Sequence, residues 1–129
     1  MTIVTMLTRV FLAISALVFF YIGVYVFYDP FVGMVGTELQ PLSVSAFNEV
    51  RANYGGLQIA IGLLLLVGTF SCEWQRPALL VSIAVTGGLV SGRLISISID
   101  GLPNAFTTGL VWLEATSTII ATLLLWRRR

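Results

Sequence analysis

The sequence predicts an all-α integral membrane protein: a bundle of four transmembrane helices with both termini in the cytoplasm. Three observations carry that reading. Of 129 residues, 57% are hydrophobic and only 10% charged, with a mean hydropathy of +0.97, whereas a soluble domain charges about a quarter of its residues. Four apolar runs cover about residues 10–28, 46–70, 77–99 and 105–126, each near the roughly 20 residues that cross a hydrocarbon core. Short polar or turn-forming links separate them, and a chain of this length is one domain.

The first run, Val10 to Tyr28, follows Arg9. It is too long for the apolar part of a signal peptide and lacks a small-x-small cleavage site before Asp29-Pro30, so it reads as a retained helix. Tyr21, Tyr25 and Tyr28 share one face, as an interfacial aromatic belt or as a stacking wall for a flat hydrophobic ligand. Pro30 lacks an amide donor and pushes Asp29 out of the helical region, which ends the helix. The link Phe31 to Val44 holds Gly33, Gly36, Glu38 and Pro41 among apolar residues and is expected to lie against the interface or the outer end of the bundle.

Ser45 is the expected N-cap of the second helix. At 100° per residue, Arg51, Tyr54, Gly55, Gln58 and Gly62 fall on one stripe, with Glu49, Asn53 and Gly56 roughly opposite. Gly55, Gly56 and Gly62 are expected to let a neighbouring helix come close. Residues 71–76 form a polar link with the interfacial Trp74, and Pro77 suits the first turn of the third helix. Gly88-x-x-x-Gly92 has the spacing of a close helix contact, expected within the bundle. Asp100 to Asn104 form a turn broken by Gly101 and Pro103. The fourth helix carries Glu114 and ends at Trp126, before Arg127, Arg128 and Arg129.

Composition removes several functions. All seven basic residues are arginine and the net charge is +1, which gives no general attraction to nucleic acid. Histidine is absent and Cys72 is the single cysteine, so the usual metal and haem ligands, thiolate clusters and internal disulfides are missing. No metal and no cofactor is expected. Cys72 reads as a small filler or a free thiol.

Arginine bias sets the orientation. Arg9, Arg76 and Arg127 to Arg129 fall on one side, Asp29, Glu38 and Asp100 on the other, which places both termini in the cytoplasm. Arg93 then lies about 10 Å, and Glu114 about 15 Å, below the outer surface. Arg51 joins them one or two turns in. An unpaired charge at such depth costs about 2.5–3.5 kcal/mol on insertion scales. Three readings of this outer polar layer follow. Arg93 pairs with Glu114, and Arg51 with Glu49 or Glu114, to fix bundle register. Alternatively, the arginines hold the anionic or polar head of a ligand whose tail meets apolar walls. In the third, Glu114 handles a proton as a buried acid.

Arg51-Ala-Asn-Tyr-Gly-Gly56, Gly92-Arg93, Asp100-Gly-Leu-Pro103 and Glu114 resemble the small four-helix bacterial membrane proteins of domain-of-unknown-function family 4345. The resemblance covers nearly the whole chain, and Arg-x-x-Tyr-Gly-Gly is its most specific part. It implies a four-helix protein of the bacterial inner membrane and no activity. The family pattern falls on Arg51, Tyr54, Gly55, Gly56, Arg93, Asp100, Pro103 and Glu114. Asn53 stands where that pattern leads one to expect an apolar residue, which leaves no role for it. The expected function is a non-catalytic accessory subunit of a larger membrane complex, or a binder of a lipophilic molecule, with membrane lipids and a membrane protein as partners. The alternative is an enzyme or carrier for a lipid or isoprenoid, with Glu114 as acid and Arg51 and Arg93 holding an anion.

Overall fold

A computed structural model describes residues 2–128; Arg129, counted in the arginine bias that sets the orientation, lies outside them. Four helices are long and apolar enough to cross a membrane: α1 (Ile3–Tyr28), α2 (Val44–Phe70), α3 (Cys72–Asp100) and α4 (Ala105–Trp126). No strand occurs among the described residues.

α1 starts seven residues before the expected Val10. Thr2 accepts from the Thr5 amide as N-cap, and Thr8 returns its hydroxyl to the Val4 carbonyl at 2.8 Å. These polar side chains satisfy themselves on the helix, so polarity does not end it. At the other end the Asp29 amide closes α1 onto the Tyr25 carbonyl, while its carboxylate accepts from Phe31 and Val32 at 3.1 Å each. One residue thus ends a helix and caps the single turn Pro30–Gly33 that follows. A 3₁₀ turn, Val35–Thr37, completes the link and stops at Glu38 in the left-handed region (φ 61°).

The N-cap of α2 is Ser43, whose Oγ accepts from Ala46 at 3.1 Å, rather than Ser45. Both serines have the chemistry, but the chain is still extended at Ser43 (φ −142°, ψ 162°) and helical one residue later. The expected link 71–76 shrinks to Ser71. α3 begins at Cys72 and holds Pro77 inside it, beyond its first turn; the carbonyl that proline leaves without a donor belongs to the exposed Glu73. α4 matches its expected bounds, because Asn104 accepts from the Thr107 amide at 2.8 Å just after Pro103. Gly101 takes φ +93° in the preceding turn, a conformation open to glycine and strained for other residues.

α1 packs along α2, α2 on α3 and α3 on α4, with a slight seam between α1 and α4. Arg128 of the last turns reaches Thr5 of α1 and Gln75 of α3, so the two ends of the chain share one end of the bundle. The main core joins Leu12, Ala16 and Phe19 to Ile61, Leu65, Ala78, Leu79 and Ala121. It lies toward this arginine end. A smaller core of Val26, Met34 and Val50 closes α1, α2 and their link at the acidic end. There α3 buries no residue beyond Thr86, and α3 and α4 depend mainly on each other.

Candidate functional site at the Arg51 groove

Within α2 the backbone leaves α-helical geometry over Arg51–Gly56, a π-helical segment spelling Arg-Ala-Asn-Tyr-Gly-Gly. The Leu57 amide bonds the Ala52 carbonyl five residues back. Such segments insert a residue into a helix and are frequent at functional sites. The carbonyl of Glu49, one turn ahead, is taken by the Asn53 side-chain amide at 3.1 Å, which also donates to the Glu49 carboxylate at 3.1 Å. Asn53 therefore has a role that its departure from the family pattern concealed.

The π segment turns Arg51 back over the end of α1. Its Nε donates to the Phe27 carbonyl at 3.0 Å, one of the acceptors a helix leaves without an internal partner in its last turn. A cation at a helix C-terminus also meets the negative end of its dipole. The guanidinium carbon sits 6.0 Å from the Phe47 ring centroid, at the limit of cation–π contact. No carboxylate pairs with it among the described residues. The expected pairing of Arg51 with Glu49 or Glu114 does not form: Asn53 holds the first and Arg93 the second.

Beside Arg51 an open groove of about 600 Å³ runs between Phe27, Val44, Phe47, Asn48, Ala52 and Gly56. Gly55 and Gly62 meet the expectation of close helix approach: a methyl at Gly55 would lie 2.9 Å from the Phe27 ring, and one at Gly62 3.2 Å from the Ala16 carbonyl. Gly56 does not. A methyl there meets only the Arg51 carbonyl, at 3.7 Å, because the π segment turns it from α1 into the groove. Tyr54 is exposed and Gln58 half-buried, so the single stripe predicted at α-helical spacing is split.

The other embedded charges pair. Arg93 Nε donates to Glu114 Oε2 at 2.8 Å, with side chains 26% and 10% exposed. Below them Thr118 donates to the Glu114 carbonyl, meets Thr86 at 2.8 Å, and Thr86 donates to the Ser82 carbonyl. A hollow of about 240 Å³ lies beside Arg93, Ser96, Asp100, Pro103 and Thr107; Asp100 accepts from Ser96 at 3.3 Å. It shares no residue with the Arg51 groove, so the polar residues read from the sequence as one outer layer line two separate hollows. Gly88 and Gly92 would place a methyl against nothing within 4 Å. Their contact within the bundle is not made, since α4 meets α3 beside Gly87, whose methyl would lie 3.5 Å from Thr118.

Phe27, Phe47 and Ala52 were not foreseen as groove residues; only their places across from Arg51, one turn before it and next to it could have suggested them. Residues 7–125 match the model of a family described as Domain of unknown function (DUF4345), and the chain belongs to that family. No curated protein and no solved structure matches the chain.

Proposed function

We propose that this DUF4345 protein is a non-catalytic membrane protein that holds an amphiphile in the Arg51 groove. The head, anionic or strongly polar, rests on the guanidinium; the tail lies along Phe27, Val44 and Ala52. One observation carries this reading: an arginine with no carboxylate partner among the described residues stands at the mouth of a mainly apolar groove, held by a carbonyl and an aromatic ring. Anchoring through Nε leaves the terminal nitrogens to present parallel donors, the geometry that suits an oxyanion. Arginine bias supports cytoplasmic termini in a bacterial inner membrane, which puts the groove in the outer half.

The enzyme or carrier reading is weaker, because Arg51 and Arg93 line different hollows and Glu114 is already matched by Arg93. The accessory-subunit reading draws on another observation: the open faces of Gly88 and Gly92 on α3 leave room for a helix of another protein.

Titrating the purified chain in neutral detergent with a long-chain fatty acid and with the alcohol of the same length tests the groove. The carboxylate is expected to raise the unfolding temperature saturably and the alcohol to do so weakly. Ala52→Trp, which fills the groove and leaves the Arg51 anchor alone, is expected to abolish the difference. Equal effects of acid and alcohol, or an unchanged response in Ala52→Trp, would overturn the proposal.

A further inference from the structure

The arginine end holds a second cluster, distant in the chain from the groove. Thr5 and Arg9 stand one turn apart on α1, and Cys72 and Gln75 one turn apart on α3. Arg9 reaches Cys72 Sγ at 3.5 Å, while Arg128 donates to Gln75 Oε1 and reaches Thr5 Oγ1 at 3.5 Å. Two guanidinium groups therefore close on the same corner of the bundle. Gln75 is fully buried, and its Nε2, together with the Nε atoms of Arg9 and Arg128, is buried without a hydrogen-bond partner among the described residues.

All three of these atoms are donors, and buried donors are almost always paired. Among the described residues the corner carries two positive charges with no ion pair to offset them; Glu73, the nearest acid in sequence among them, is exposed and unpaired. The N-termini of α1 and α3 and the C-termini of α2 and α4 all meet this end, so the helix dipoles largely cancel there and the side chains set its charge. A phosphate group accepts from several donors at once and brings the opposite charge.

We propose that Arg9, Gln75 and Arg128 form a binding site for a phosphate group, with its oxygens accepting from the three buried donors. A phospholipid head group and free phosphate share that chemistry. A lipid would seat its phosphate here and run its chains along the exposed apolar perimeter.

The test follows unfolding of the full chain in neutral detergent through tryptophan emission, with inorganic phosphate, phosphatidylglycerol or diacylglycerol added. Saturable stabilisation by phosphatidylglycerol alone marks a lipid head-group site; stabilisation by inorganic phosphate as well marks a site open to the free anion. Arg128→Gln is expected to weaken the apparent affinity at least tenfold, and Arg127→Gln, at the exposed neighbour, less than twofold. Gln75→Met keeps the buried volume without the amide and is expected to weaken binding too, should Arg128→Gln fail to fold. No stabilisation by either phosphate compound, equal stabilisation by diacylglycerol, or equal affinities in the two arginine variants would overturn the proposal.

Discussion

Arg51 and Arg93 face the same physical problem and solve it differently. A guanidinium embedded among apolar helices needs an acceptor, and Arg93 finds a carboxylate while Arg51 finds a carbonyl. The first arrangement is electrically closed; the second keeps a net charge available to a ligand. Glu114→Gln strands Arg93 beside a neutral amide and is expected to cost about 2 kcal/mol, reduced from the full buried-pair value because Arg93 is partly exposed. Replacing both, as Arg93→Met with Glu114→Leu, should restore most of that loss in a denaturant titration. The Arg93–Glu114 pair was legible because two opposite charges stood about one helical turn apart in depth on consecutive helices, within reach of an arginine side chain. The partner of Arg51 was not, because it is a backbone carbonyl that no residue type announces. Gln75 escaped notice for a similar reason: it fell in a stretch read as a link, where a polar side chain excites no interest.

At the scale of elements, apolar run length and breaker residues made the helices legible. Asn104 after Pro103 located the start of α4, and Asp29-Pro30 the end of α1. The π segment was not legible. Arg-Ala-Asn-Tyr-Gly-Gly satisfies α and π geometry alike, and the difference is a one-residue offset set by how α2 lies on α1. That contact depends on Gly23, where a methyl would sit 2.9 Å from the Gly55 carbonyl and 3.0 Å from the Ile59 amide. Gly23→Ala is therefore expected to cost about 1–3 kcal/mol, as overpacking does when backbone must move. Gly92→Ala meets nothing and removes a flexible helix residue, a gain of up to about 1 kcal/mol by propensity. Unfolding of the two purified variants checks both signs. A loss of stability in Gly92→Ala would mean that something packs against that face.

Over the whole molecule, the structure is tightest at the arginine end and divides toward the acidic end into an α1–α2 pair and an α3–α4 pair. Asn104 bridges them by donating to the Gly36 carbonyl at 3.0 Å. Only 17–33% of each span's apolar window is buried inside the bundle, so most of that surface faces outward, as it does in a protein whose solvent is lipid. In that setting small residues and polar contacts, more than apolar burial, hold helices together, as Gly23, Gly55 and the Arg93–Glu114 pair do here. The proposed function requires the Arg51 groove to be occupied in the membrane. Native mass spectrometry of the protein released gently from its membrane tests it most directly. Retention of an amphiphile of defined mass by the wild type, and its loss in Ala52→Trp with folding intact, is the predicted result; an amphiphile-free wild type, or the same adduct on both, would contradict it.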